Sequence, residues 1–414
     1  MASMGVPCRR TRSRRRRSIL LFVFATARRN VQRARSFCKH FPRLLYNRAR
    51  RRDEAGELGV LPCFRRRKHG TLPEGARMIF RKSGREVRWA NELGELSWTY
   101  RAGRVVQVAS TTGIFEGLGR RAATAAEVAR HRGLDAAMVE KMLYPLAAMG
   151  LVRRAGGRRW RLTRKAAATM LPGAPCYQGN MLAHGGQVWP FWSDLEEAVR
   201  GRRGGWRHTS EVEPGPPARS HRDFILAMHD MAMAGRAAEL ADRVDLGGRR
   251  TLMDIGGGPG SYAIALCERY PGLAATVFDL PETIKIAREV IARLRMVGRV
   301  GTVAGDWDKD EFGENVDAVL LSNIMHGPTS GAEMKLRKAC RALAPGGLLI
   351  VQDFLMSAAK TGPLIPALFN LMVGAFSLPE MVERIAAAGF ARVRVRPMPR
   401  HVGTAVITAV KEST

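Results

Sequence analysis

With 414 residues the chain has room for two or three domains at about 150 residues each, and its 46% hydrophobic and 25% charged content excludes a wholly disordered, collagen-like or coiled-coil protein. The formal net charge is +31, but residues 1–70 hold 21 Lys and Arg against Asp53, Glu54 and Glu57, so +18 of it belongs to an N-terminal extension. No apolar run approaches the ~20 residues of a bilayer span, and the six cysteines show neither CxxC pairing nor zinc-ligand spacing, which excludes an integral membrane protein, a disulfide scaffold and a zinc finger. Cys8, Cys38, Cys63, Cys176, Cys267 and Cys340 read as reduced thiols of a cytoplasmic protein, and no metal site is expected.

Residues 1–77 are expected to be disordered, because the Arg runs at 14–17 and 65–68 repel one another and bring little apolar surface. Four readings of this extension stay open: a nucleic-acid-binding arm, an organelle transit peptide, a secretory signal, or a passive tail left by a start placed upstream of Met78. From about residue 91 the pattern turns helical. Leu93, Leu96, Val105, Val106, Val108, Ile114 and Phe115 recur at three- and four-residue spacing up to Gly117 and predict a buried helix.

Residues 122–134 and 137–151, separated by Gly133, predict a helix-turn-helix with Val139, Met142, Leu143, Leu146 and Met149 facing inward. Residues 150–163 then predict a two-stranded wing turning at Gly156-Gly157, which completes a winged helix. Arg153, Arg154, Arg158, Arg159, Arg161, Arg164 and Lys165 could meet phosphate, but the second helix offers mainly Ala, Met, Leu, Glu140 and Lys141, poor groups for reading base edges. Packing or dimerisation is therefore favoured over DNA binding. Residues 175–235 continue as helices carrying Trp189, Phe191, Trp192, Trp206, Phe224, Met228, Met231 and Met233, which suit either a core or a pocket for a flat organic molecule. Residues 78–235 form one predicted domain and 236–414 the next.

The second domain opens with the strongest signal, Asp254-Ile-Gly-Gly-Gly-Pro-Gly-Ser, in which a short apolar strand ends in a glycine-rich turn before a helix at 262–269. Strands at 274–279, 300–304, 318–323 and 348–353 alternate with helices at 283–295 and 332–343, which predicts an α/β, doubly wound sheet with its ligand at the C-terminal strand ends. Glycines in the first turn let backbone touch a ligand that any Cβ would push away. Asp279, at the end of the second strand, can accept both ribose hydroxyls, so an adenosine cofactor is expected. The spacing Asp254-x-Gly256-x-Gly258-x-Gly260 departs from the dinucleotide fingerprint and points away from NAD.

These motifs resemble the class I S-adenosylmethionine-dependent O-methyltransferases of the plant caffeate and bacterial small-molecule type. The resemblance covers roughly residues 90–410 and rests on the glycine turn, Val277-Phe-Asp-Leu-Pro-Glu, Gly305-Asp-Trp, Leu321-Ser-Asn-Ile-Met-His and Leu343-Ala-Pro-Gly-Gly-Leu-Leu-Ile-Val-Gln-Asp, in that order. It implies an N-terminal winged domain used for dimerisation and a sheet ending in an antiparallel hairpin, which 393–395 and 404–410 would form. It implies that Asp254, Gly256, Gly258, Gly260, Asp279, Leu280, Asp306, Trp307 and Asn323 hold S-adenosylmethionine, with Asp306 on the adenine amine and Trp307 near the ring.

The resemblance also implies His326 as the base that deprotonates an acceptor hydroxyl, flanked by Asp353. Two departures accompany it: Gly327-Pro328 follow His326 where the family has Asp-Trp, and the second flanking carboxylate falls near Ala375 and is missing, so either a less firmly oriented imidazole or an acceptor that needs less help ionising is expected. The segment 362–376, with Phe369, Asn370 and Met372, is expected to wall the acceptor pocket together with Trp189 and Trp192. The leading expectation is thus a homodimeric methyltransferase acting on the hydroxyl of a small, largely hydrophobic or aromatic molecule, with no nucleic-acid partner and no membrane span. Its alternatives are N- or S-methylation on the same fold, and a non-catalytic regulator whose α/β domain senses the cofactor while the winged helix binds DNA.

Overall fold

The computed structural model describes residues 84–202 and 217–412; the extension 1–77, with every reading of it, and Trp206 lie outside the described residues. The chain divides into two units, Met1–Tyr100 and Arg101–Thr414. Helix α1 is Arg85–Thr111. The expected burial along it is corrected at its first half, where Leu93 and Leu96 are 49% and 46% exposed. Apolar spacing alone does not say how far along a helix the core reaches. Here it begins at Val105 and Val106, which pack with Ala109 against the cluster of Phe115, Val128, Leu143, Leu146, Val152 and Trp160.

Gly113 in the left-handed region (φ 74°) breaks the helical run before α2, Ile114–Leu118. Helix α3, Ala125–Arg132, starts on a capping box in which Thr124 and Glu127 satisfy each other's backbone N–H, and ends on Gly133 in the left-handed region. Helix α4, Ala136–Ala148, starts on Asp135, whose carboxylate accepts the Met138 N–H at 2.7 Å. Strands β1, Val152–Arg154, and β2, Trp160–Leu162, pair antiparallel around a turn holding Gly156 and Gly157 at positive φ. That is the winged helix. Two of its arginines are engaged within it: Arg154 stacks on Trp160 at 3.8 Å and pairs with Glu140, and Arg159 pairs with Glu127.

The helices that follow include α5, Arg164–Met170, α6, Gly179–Gln187, α7, Trp189–Ser193, α8, Leu195–Val199, α9, Pro217–Met231, α10, Ala237–Ala241, α11, Ser261–Arg269, α12, Pro281–Arg293, α13, Ala332–Ala342, and α14, Leu364–Val373. The second half is built on a seven-stranded sheet of β3, Thr251–Ile255, β4, Ala274–Asp279, β5, Val300–Ala304, β6, Val316–Ser322, β7, Leu343–Asp353, β8, Phe390–Pro397, and β9, Ala405–Lys411, in the order β5-β4-β3-β6-β7-β9-β8. The first five are parallel and β9 runs antiparallel between β7 and β8, so the expected terminal hairpin is present. Side chains alternate across the pleat. Leu320 and Ile350 join one buried layer, while Val319, Leu321, Leu349 and Val351 join the other. Burial on both faces explains why β6 and β7 read as continuous apolar runs. Strand order reverses between β3 and β6, so the crevice lies at the C-terminal ends of those two strands.

Candidate active site

The turn after β3 leads into α11, Ser261–Arg269, with Gly256, Gly258 and Gly260 all at positive φ. A Cβ on Gly256 would stand 2.9 Å from the Trp307 ring and 3.0 Å from Ile324, so only glycine lets the Trp307 loop and the loop after β6 close on this turn. In front of Gly258 the space is open. The Gly258 N–H donates to Asp279 Oδ2 and the Leu280 N–H to Asp279 Oδ1, each at 2.8 Å, which pins the carboxylate at the end of β4. Burial nevertheless raises the Asp279 acid above its ordinary range. Asp254 is fully buried, neither oxygen meets a donor in full hydrogen-bond geometry, and burial with the nearby Asp279 charge, opposed by the Ala263 N–H, pushes its acid up to about 7.

Asn323 follows β6 in the left-handed region (φ 56°), donates its N–H to the Gln352 carbonyl at 2.7 Å, and leaves its own Oδ1 buried and unpartnered. Gln352 donates to the Tyr262 phenol at 3.1 Å while its Oε1 is likewise unpartnered. Arg236 lies beside Tyr262, its guanidinium pushed down by burial, and His229, 2.8 Å from Ser261 Oγ, is pushed down to about 4 by burial and so stays neutral. On helix α9, Pro217–Met231, His221 reaches Thr283 Oγ1 at 3.0 Å, and Thr283 in turn supports Asp279. The sequence motifs did not single out Tyr262, Arg236, His229, His221 or Thr283, and gave no role to Ser261 and Gln352, which stand inside the glycine-turn and β7 motifs.

Asp306 takes the Asp308 N–H and the Lys309 ammonium, each at 3.0 Å, so its carboxylate has partners of its own at the loop surface. Trp307 is half-buried against the second layer. Beneath it lies helix α13, Ala332–Ala342, whose Lys335 and Lys338 are buried. Lys338 Nζ donates to the Trp307 and Asp310 carbonyls, and Lys335 Nζ to the Ile324 and Ser330 carbonyls.

His326 sits just past β6 with its Nδ1 2.7 Å from Asp353 Oδ1 at the end of β7. Asp353 also accepts the Met325 N–H at 2.9 Å and the Phe354 N–H at 2.7 Å. With three donors on it, the carboxylate acts only as acceptor, so Nδ1 carries the imidazole proton and Nε2 presents a lone pair. The expectation of a loosely oriented imidazole is corrected: one short carboxylate on a fixed strand end, plus an edge-to-face Phe369 ring whose centre lies 4.9 Å from that of the imidazole, orients it. The two departures from the family pattern are one feature here. Gly327 (φ 56°) runs backbone to backbone against Gly374, where a Cβ would come within 2.9 Å of Gly374 Cα, and this contact draws the buried Ala375 alongside.

Phe369 stacks on Phe354 at 4.1 Å and, on helix α14, Leu364–Val373, stands with half-buried Met372. Asn370 Oδ1 accepts the Ala375 N–H at 2.9 Å, closing the helix end. Trp189 carries the Arg104 guanidinium over its ring and Trp192 meets Phe191 edge to face, both on the short helix Trp189–Ser193.

A sheet of this order, with a glycine turn at its switch point and a pinned acid on the next strand, defines the class I methyltransferase fold. The profile of an O-methyltransferase domain matches residues 192–388, and that of an O-methyltransferase dimerisation domain matches residues 95–171. A 3-hydroxy-5-methyl-1-naphthoate 3-O-methyltransferase of Streptomyces sahachiroi is 32% identical over 326 residues, 74% of this chain and 91% of its own. The N,N-dimethyltransferase OxyT of Streptomyces rimosus is 29% identical over 339 residues, 78% of this chain and 97% of its own. The crystal structure of human N-acetylserotonin methyltransferase in complex with S-adenosylmethionine has a TM-score of 0.69 at 22% identity, covering 81% of this chain and 100% of that one. The chain belongs to the S-adenosylmethionine-dependent O-methyltransferase family. That membership makes it a methyltransferase and leaves the DNA-binding regulator without support.

Proposed function

We propose that the protein methylates a hydroxyl on a small, largely hydrophobic or aromatic metabolite, with His326 as general base. The observation that carries this is the 2.7 Å contact from Nδ1 to Asp353, which leaves Nε2 free to take the hydroxyl proton. When bound, S-adenosylmethionine supplies an electrophilic methyl on a sulfonium. The chain's donor set suits such a ligand: Asp254, Asn323 and Gln352 bury unpartnered oxygens, which favour a cationic, hydrogen-donating group. Gly256, Gly258 and Gly260 would cradle it, Asp279 beside Leu280 would hold the ribose, and Trp307 would pack near the adenine. For Asp306 the adenine role requires its carboxylate to keep a free lone pair beside Asp308 and Lys309.

Once His326 takes the proton, Asp353 stabilises the imidazolium that forms. General-base catalysis of this kind contributes about 10²–10⁴ in rate, and the rest comes from holding donor and acceptor in line. Phe354 and Phe369 set apolar rings against the base, which supports an aromatic acceptor, as does the naphthoate relative. The OxyT relative supports a second reading, N-methylation, in which a neutral amine would need no base.

The proposed organisation is an extension at 1–77, a helical dimerisation and lid domain at 78–235 and the catalytic domain at 236–414. The dimerisation profile and the open apolar face of Trp89, Leu93 and Leu96 support a homodimer. No described helix is long and apolar enough to cross a membrane. The free thiols of Cys267 and Cys340 suit a cytoplasmic protein. Methyl transfer to a panel of phenols, hydroxynaphthoates and aryl amines tests the reading: hydroxyl products formed by wild type and lost in His326→Ala support it, and transfer to amines alone overturns it.

A further inference from the structure

Helix α13 buries two ammonium groups three residues apart, and the reaction as derived above uses neither. Lys335 is 2% exposed, yet among the described residues no carboxylate lies within ion-pair distance of it. Its Nζ instead donates to the Ile324 carbonyl at 2.9 Å and the Ser330 carbonyl at 2.6 Å, and stands 4.1 Å from the centre of the Trp307 ring. Ile324 and Ser330 bracket His326. Trp307 and the Ile324 side chain are also the two groups that close on Gly256. One ammonium therefore touches both loops that meet on the cofactor turn.

We propose that Lys335 is a positioning residue that locks the base-bearing loop to the wall of the cofactor turn, so that cofactor binding and the placement of His326 depend on one another. Burying an ammonium without a hydrogen-bonded carboxylate is costly, and a methionine of similar length would fill the space without that cost. What the ammonium adds is three donors: two for inward-facing carbonyls and a cation over the indole face. Lys338 supplies the contrast. It binds the Trp307 and Asp310 carbonyls, so it fastens the Trp307 loop alone and makes no bond to the segment carrying His326. Burial pushes Lys335 down to about 8, with Asp308 on the Trp307 loop and Asp353 on β7 opposing that fall. The cation is thus held by these two acids through space and by carbonyl oxygens directly.

The inference rests on the cofactor reading above, and its test separates the two. S-adenosylhomocysteine affinity is measured by calorimetry, and kcat at saturating cofactor and acceptor, for wild type, Lys335→Met, Lys338→Met, Trp307→Leu and the double variant Lys335→Met/Trp307→Leu. Folding is checked by thermal melting. The expected result is that Lys335→Met loses roughly tenfold or more in both affinity and kcat, whereas Lys338→Met loses affinity with kcat within about threefold of wild type. The affinity losses of Lys335→Met and Trp307→Leu should also fall short of additive in the double variant. Should Lys335→Met fail to fold, Lys335→Gln, which keeps one donor pair, is held to the same thresholds. A folded variant with affinity and kcat within about twofold of wild type overturns the proposal, as does a loss of melting temperature alone or an equal kcat loss in Lys338→Met. Wild type that binds no S-adenosylhomocysteine overturns the cofactor reading instead.

Discussion

Replacing Asp353 by Asn keeps the shape of the site and changes only what the side chain can accept. In the native structure Oδ2 takes the Met325 N–H at 2.9 Å, and Oδ1 takes the Phe354 N–H and His326 Nδ1 at 2.7 Å each. An amide has one acceptor oxygen and an NH₂ that only donates. With its oxygen toward His326, the NH₂ opposes the Met325 N–H and leaves buried donors unpaired, at about 1–3 kcal/mol. With its oxygen toward Met325, the NH₂ faces Nδ1, the imidazole turns to the tautomer protonated on Nε2, and the lone pair for the acceptor hydroxyl is gone. Either outcome costs stability, and the second also removes the base. The expected kcat loss is about 10²–10⁴, or about 3–5 kcal/mol of barrier, with a melting temperature lowered by a few degrees. S-adenosylhomocysteine affinity, measured by calorimetry, should stay within about threefold, because Asp353 bonds to nothing on the glycine turn. A folded Asp353→Asn variant with near-native kcat would refute the tautomer argument.

Asp279→Ala should weaken S-adenosylhomocysteine about 100-fold or more in calorimetry, since it removes the carboxylate pinned for two ribose hydroxyls. Asp254, pushed up to about 7 from 3.8, is protonated more readily folded than unfolded, so its contribution to stability is present at low pH and lost as pH rises from about 4 to 7. That loss is about 4 kcal/mol; Asp254→Asn should melt above wild type at pH 8 and lose the advantage near pH 4, and parallel melting curves would contradict this. Gly327→Ala forces a Cβ within 2.9 Å of Gly374 Cα at φ 56° and should cost about 2–5 kcal/mol in thermal or denaturant unfolding; an unshifted transition would show the backbone contact to be absent. Phe369→Ala removes the ring packed on Phe354 and His326, and should raise acceptor KM about tenfold in steady-state kinetics while cofactor affinity holds.

The glycine turn, Asp279, the strand-helix alternation and the terminal hairpin were legible because each depends on local chemistry: positive φ, a carboxylate at a strand end, period-two burial. The start of β7 was not. Leu343 pairs with Val316 before a register shift, so Ala-Pro-Gly-Gly, which reads as a turn, lies inside a strand. Lys335 and Lys338 were invisible for a related reason, since lysines on an amphipathic helix normally face water. Only the tertiary carbonyls of Ile324, Ser330, Trp307 and Asp310 draw them inward. The missing second carboxylate near Ala375 looked like a weakness of the base. The structure sets Gly327 and Gly374 backbone to backbone beside the buried Ala375, an approach that no one-dimensional pattern displays.

The most direct test is single-turnover methyl transfer from S-adenosylmethionine to a hydroxynaphthoate or related phenol, comparing wild type with His326→Ala from neutral to alkaline pH. The account predicts transfer by wild type, a drop of about 10²–10⁴ in the variant near neutrality, and a narrowing gap as the phenol ionises on its own. Equal rates for the two proteins at neutral pH would contradict it.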